Sequence, residues 1–140
     1  MKLRIRQTKD VNVVHALDSA VFNYKEHHAV NTADGSVWWI AYDGKTPVAY
    51  AGAVHLKDKG RVYLCRAGVL PAYRGLGLQK LLIRKRLTWA KTCGVSTVIT
   101  YTDLDNVYSS NNLIDCGFKL YKPDLPWGNS DDALYWTRKV

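Results

Sequence analysis

Gly68-Val69-Leu70-Pro71-Ala72-Tyr73-Arg74-Gly75-Leu76-Gly77-Leu78-Gln79-Lys80-Leu81-Leu82 is the stretch on which the reading of this chain turns. Residues 61–69 read as a strand, and Pro71 ends it because proline cannot donate to a ladder. Residues 78–91 read as a helix, with Leu78, Leu81, Leu82 and Trp89 on one side and Lys80, Arg84 and Lys91 on another. A strand therefore passes into a helix through a glycine loop. Free N–H groups gather at such a helix start, and the helix dipole adds partial positive charge there. Gly75 and Gly77 remove side chains, so an anion can approach the backbone closely. Arg74 adds a full charge with paired donors. Arg74, Gly75, Leu76, Gly77, Leu78 and Gln79 together read as a loop that binds phosphate groups.

Two phosphate-binding templates fail on this loop. A Walker loop anchored on Lys80 needs glycines at Arg74 and Gln79 and a hydroxyl residue at Leu81. A dinucleotide fingerprint needs its third glycine at Lys80, on a βαβ unit near the chain start. A plain glycine turn stays possible on the hexapeptide alone.

Charge points the same way as the loop. The net charge is +8. No Asp or Glu occurs between Lys59 and Thr102, whereas Lys59, Arg61, Arg66, Arg74, Lys80, Arg84, Lys85, Arg86 and Lys91 all lie there. A field of one sign favours an anionic partner. A nucleic-acid partner fits the charge but is disfavoured, because no nucleic-acid motif is visible and the basic residues surround the loop.

The 140 residues suit one domain, 1–140, and the 47% hydrophobic content suits a packed core. No apolar run approaches the roughly 18 residues of a membrane span, so no membrane partner is expected. Met1-Lys2-Leu3-Arg4-Ile5-Arg6 alternates apolar and basic residues like a strand rather than a leader, and a cytoplasmic location is the default. Cys65, Cys93 and Cys116 form no Cys-x-x-Cys pair, so neither disulfides nor a metal site is expected.

Outward from the loop, residues 3–6 read as a strand. Asp10 caps a helix carrying Val11, Val14, Leu17, Ala20 and Val21. Residues 24–35 are polar and read as a short helix or a loop. Strands follow at 37–42 and 48–56 around the Asp43-Gly44 turn, then the strand at 61–69. After the central helix come a strand at 95–101, a short helix from Asn106 or Ser109 to Cys116-Gly117, and strands at 118–121 and 134–138. The expected fold is mixed α/β. It has a mostly antiparallel sheet of about six to seven strands, a parallel pair where strand 61–69 meets strand 95–101, and about four flanking helices.

The loop and its context closely resemble the central motif of the GNAT acetyltransferase superfamily, which runs Val-x-Pro-x-Tyr-Arg-Gly-x-Gly-x-Gly/Ala into a leucine-bearing helix. A second block agrees in position. Asn106-Val107-Tyr108-Ser109 and then Gly117-Phe118 resemble the family's Asn-x-x-Ala/Ser followed by Gly-Phe.

The resemblance implies an N-acetyltransferase that moves an acetyl group from acetyl-CoA directly to a primary amine, without a metal. By position, residues 74–79 would cradle the pyrophosphate. The backbone of Ala67, Gly68 and Val69 would pair with the pantetheine arm. Asn106 would contact the cofactor, with help from Ser109, and Lys80 and Arg84 would face the outer phosphates. The sequence departs from the family pattern in three places. Gln79 replaces the last small residue of the loop, Leu113 stands where many members carry a proton-donating tyrosine, and Tyr101 stands where a carboxylate often lies. Asp103 and Asp105, just past the strand, become the candidate bases. Glu26, His27, His28 and Trp127 become candidates for the acceptor site. The acceptor is a small-molecule or peptide amine, and exchange of the final strand offers a homodimer mode. Two other functions stay open: a cofactor-binding sensor or assembly module of the same fold, and a basic nucleic-acid-binding protein.

Overall fold

The computed structural model describes residues 2–22, 35–128 and 131–140. Seven strands form one sheet: β1 (Leu3–Thr8), β2 (Ser36–Asp43), β3 (Thr46–Leu56), β4 (Arg61–Val69), β5 (Thr97–Asp103), β6 (Lys119–Tyr121) and β7 (Ala133–Lys139). Their order across the sheet is β1-β2-β3-β4-β5-β7-β6. Every neighbouring pair is antiparallel except β4 and β5, which run parallel. The expected fold class is therefore present. Among the described residues there are three α-helices rather than about four: α1 (Val11–Phe22), α2 (Leu78–Thr92) and α3 (Val107–Asp115). Most of the polar stretch read as a short helix or loop, with Glu26, His27 and His28, lies outside the described residues.

Alternation along the central strands explains the layers. Trp38 and Ile40 of β2 pack with Val14 and Leu17 of α1. Trp39 and Ala41 belong to the other cluster, with Leu78, Leu82 and Leu87 of α2 and Leu113 of α3. Successive strand residues point to opposite faces, so α1 covers one face while α2 and α3 cover the other. Asp10 caps α1 through Oδ1, which accepts from the Asn12 amide at 3.1 Å. The Asp43-Gly44 signal marks a hairpin in which Asp43 pairs with Thr46 and Gly44 takes φ 60°.

The buried face of α2 differs from its expected one at three residues. Leu81 is 41% exposed, whereas Ile83 and Arg86 are buried. Leu78, Leu82, Arg86 and Ala90 recur every four residues, so Arg86 lies in line with the apolar stripe and not with the solvated lysines. On the same face of the sheet, a buried polar chain fastens α3. Thr102 Oγ1 and Ser110 Oγ lie 3.1 Å apart, and Trp136 Nε1 donates to Thr102 Oγ1 at 2.9 Å.

Candidate active site

The glycine loop leaves β4 through a short 3-10 turn, Pro71–Tyr73, and enters α2 at Gly77. Two contacts set its position. The Leu70 amide donates to the Val48 carbonyl at 2.9 Å, and the Tyr73 hydroxyl donates to Asp43 Oδ2 at 2.8 Å. That hydrogen bond to a carboxylate raises the Tyr73 pKa. Gly75 and Gly77 both take φ 80°, in the left-handed region where a side chain is strained. No side chain caps α2. The first bond of the helix runs from the Leu81 amide to the Gly77 carbonyl at 3.1 Å. The amides of Leu78, Gln79 and Lys80 therefore precede any helical acceptor and face outward. Arg74 Nε donates to the Val69 carbonyl at 3.1 Å, which holds the guanidinium beside the loop. A cationic, amide-lined cradle results, with no side chain at Gly75 or Gly77 and open space where their Cβ atoms would lie.

Below the cradle the sheet parts. β4 and β5 are paired only from Arg61↔Thr97 to Tyr63↔Ile99. Just past that rung, Thr100 Oγ1 donates to the Leu64 carbonyl at 2.8 Å, a side chain standing in for the ladder. Residues 64–69 of β4 and 100–103 of β5 run on without a ladder between them. A bulge accompanies the parting. Ala51 faces Ala67 and Ala53 faces Leu64, so Gly52 alone opposes both Cys65 and Arg66. Cys65 packs against the α1-side cluster, and Arg66, its neighbour, reaches Asp18 of α1. Two consecutive side chains thus share one face. An extended ligand arm can add to the open stretch of β4 as an extra strand.

On the α1 side of the sheet, Tyr63, Tyr101, Tyr135, Tyr121 and Trp127 form a continuous aromatic group at the foot of this cleft. Tyr63 and Tyr101 lie with planes 9° apart at 6.5 Å. Trp127 stands edge-on to both, with each centroid 5.3 Å away. Its Nε1 donates to the Tyr121 hydroxyl at 3.0 Å, and the Gly128 amide donates to the Tyr135 hydroxyl at 3.1 Å. Burial, and then the neighbouring Tyr101 phenol, hold the Tyr63 hydroxyl well above the usual tyrosine range. On the same side of the sheet, Asp18 of α1 is 3% exposed and accepts from both Tyr50 and Arg66. The Arg66 guanidinium also lies 4.3 Å from the centre of the Phe22 ring.

Residues 7–118 match the model of the acetyltransferase (GNAT) family. The chain belongs to the GNAT acetyltransferase family. Over 100 residues it is 27% identical to N-acetyltransferase 8B of Rattus norvegicus, a match covering 66% of this chain and 45% of that protein. The chain thus spans less than half of that relative's length. Its fold also follows solved structures at low identity. One is the ribosomal-protein-S18-alanine N-acetyltransferase of Escherichia coli, with TM-score 0.79 and 16% identity over 99% of this chain and 94% of that one. Another is the paia N-acetyltransferase of Thermoplasma acidophilum in complex with coenzyme A, with TM-score 0.79 and 13% identity over the whole of both chains.

The residues singled out in the GNAT motifs sit as follows. Ala67, Gly68 and Val69 lie on the open part of β4, and Arg74, Gly75, Leu76, Gly77, Leu78 and Gln79 form the cradle. Gly68 packs so closely that a Cβ there would come within 2.8 Å of the Tyr50 ring. The Asn106 side chain caps α3, accepting from the Ser109 amide at 3.2 Å. Lys80 is paired with Asp115 of α3 at 2.8 Å. Leu113, at the position of the family's tyrosine, is buried in the core and carries no proton to give. Asp103 and Asp105 are exposed; the Asp103 carbonyl accepts from the Asn106 amide at 3.0 Å, and the Asp105 carbonyl accepts from the Val107 amide at 2.9 Å. Asp103 is two residues beyond Tyr101 on β5 and so lies on the same face as the aromatic group.

Gln79, the departure inside the loop, is turned away from it. Its Nε2 donates to Ser109 Oγ at 3.1 Å, and its Oε1 accepts from Asn112 Nδ2 at 2.9 Å. The side chain therefore bridges α2 and α3, while its amide stays at the helix start. We predict that Gln79→Ala lowers stability by about 1–2 kcal/mol through two lost hydrogen bonds, read as a fall in melting temperature. Acetyl-CoA affinity should stay within twofold. A tenfold loss of affinity at unchanged stability would put the side chain in the cradle instead.

Two features escape a reading by motif. The Tyr73–Asp43 contact joins residues 30 apart and leaves no local trace. Arg86 has a signal, its four-residue spacing from Leu82 and eight from Leu78, but its charge groups it with the basic residues around the loop.

Proposed function

We propose that this protein is an acetyl-CoA-dependent N-acetyltransferase that passes the acetyl group directly to a primary amine of a small molecule or peptide. The observation that carries this reading is the start of α2, uncapped by any side chain and entered through Gly77, with Arg74 beside it, opening onto the unpaired stretch of β4. These residues fit the parts of acetyl-CoA. Residues 74–79 take the pyrophosphate, Ala67, Gly68 and Val69 take the pantetheine arm, and Asn106 and Ser109 flank it from α3.

Acetyl-CoA supplies an acyl group already activated as a thioester. The protein's part is then to bring a neutral amine to the carbonyl, a positioning task worth several orders of magnitude in rate. The amine nitrogen forms the new C–N bond, the C–S bond breaks, and the proton that the nitrogen then sheds passes to the departing sulfur, so CoA leaves as the thiol. Asp103 takes the proton of the incoming ammonium, through water, at the rim of the aromatic group. The rings of Tyr63, Tyr101 and Trp127 give the amine a poorly hydrated surface, which disfavours its charged form. This wall suits an amine carried on an apolar or aromatic body.

Calorimetry with acetyl-CoA, followed by CoA release from a panel of aromatic amines, polyamines, amino acids and peptide N-termini, tests the reading. No heat and no thermal stabilisation by acetyl-CoA would sink it. Tight binding with no turnover over the whole panel would favour a sensor instead. Within the site, Asp103→Asn should lower kcat at least tenfold, most at low pH where the amine is charged. Trp127→Ala should raise the amine KM with acetyl-CoA affinity unchanged. If both variants keep wild-type kinetics, the acceptor lies elsewhere.

A further inference from the structure

Arg86 is the most buried cation among the described residues, at 3% exposure, and it sits under the point where β4 bulges. Its Nη1 donates to the Gly52 carbonyl on β3 at 3.1 Å and to the Cys65 carbonyl on β4 at 3.4 Å. Its Nε donates to the Leu82 carbonyl of its own helix at 3.2 Å, which fixes the side chain in place. Gly52 and Cys65 are the residues on the two sides of the irregular rung. A bulge leaves backbone groups without ladder partners, and a buried carbonyl without a donor is costly. One guanidinium meets both carbonyls here. Leucine at this place would continue the apolar stripe but offer no donor. Burial lowers the Arg86 pKa to about 10, so it stays charged at neutral pH.

The same bulge places Cys65 and Arg66 side by side and precedes the unpaired stretch of β4. Without a donor under it, β3 and β4 can partner those carbonyls by closing into a regular ladder. That shifts residues 66–69 by one and exchanges which of their faces meets the cleft.

We propose that Arg86 is a positioning residue for the cofactor: it holds the β3–β4 bulge, and through it the open register of Ala67, Gly68 and Val69. This rests on the acetyl-CoA reading above.

The test compares the whole chain with Arg86→Met and Arg86→Lys. Arg86→Met keeps the length of the side chain and removes its donors, so a loss of stability is expected beside any loss of affinity. Wild type is titrated first with acetyl-CoA: failure to bind there overturns the acetyl-CoA reading and this role with it, whereas wild-type binding retained in the variants overturns this role alone. With binding established, R86M is expected to weaken acetyl-CoA at least tenfold at a temperature where it is fully folded by circular dichroism. The amine KM should stay within twofold. R86K, which keeps the charge and reaches fewer acceptors, should fall between the two. A folded R86M with wild-type acetyl-CoA affinity overturns the proposal. If R86M does not fold, R86K decides: at least a threefold weaker affinity is expected, and wild-type affinity in folded R86K overturns it. A purely stabilising arginine would move the melting temperature without this split between cofactor and amine.

Discussion

Arg74→Glu is expected to abolish acetyl-CoA binding, with at least a 100-fold rise in Kd, about 2.7 kcal/mol or more. Three effects add in the same direction. The substitution removes a charge-assisted donor, which alone is worth about 1.5–3 kcal/mol. It sets a carboxylate against the phosphates, and it cancels the partial positive charge of the α2 start. The fold should survive, because Arg74 lies outside the core and its structural contact is a bond to the Val69 carbonyl. Calorimetry with a circular dichroism control checks this, and unchanged affinity would contradict the assignment of the loop. Arg74→Lys should recover part of the loss, since it restores the charge without the fork.

Gly52→Ala is expected to be the most damaging single methyl in the sheet. A Cβ there would lie 2.6 Å from the Trp38 ring and 2.7 Å from Cys65 Sγ. Trp38 is 1% exposed and has no room to retreat. The expected loss is about 2–3 kcal/mol, and roughly 6–10 °C in melting temperature for a chain of this size. The effect should not stop at stability. Moving Cys65 disturbs the bulge on which the open part of β4 depends, so acetyl-CoA affinity should fall as well. A melting temperature within 2 °C of wild type would show that the two tryptophan-side contacts relax freely.

Much of this molecule is legible in its sequence. The loop from Arg74 to Gln79 is readable because its signals are local. Proline stops a strand, glycines permit φ 80°, and an apolar period starts a helix, all within a dozen residues. The Asp43-Gly44 turn and the parallel relation of β4 and β5 follow from equally local patterns. What escapes depends on distant partners. The place of β7 between β5 and β6 is set by pairing across the sheet and not by its own sequence. Leu81 and Ile83 are both apolar, and a small rotation of α2 decides which is buried. Arg86 is misread by type, because a buried arginine contradicts the usual link between charge and surface. Tyr101 and Leu113 stand out in the sequence as departures from the family pattern. Only the sheet shows that Tyr101 belongs to an aromatic group with Trp127, and that Leu113 is core.

The short pairing of β4 with β5 has a consequence for the energetics of the whole sheet. Three rungs join a four-stranded half, β1 to β4, to a three-stranded half, β5 to β6. A seam this narrow is where a sheet opens first, and its opening costs less than global unfolding. A molecule of acetyl-CoA lying along the unpaired edge of β4 would work as a stitch between the halves, gaining its affinity partly from closing them. Cofactor occupancy and the integrity of the seam then become one equilibrium, and the amides of Val98 and Ile99 are where hydrogen exchange would report it.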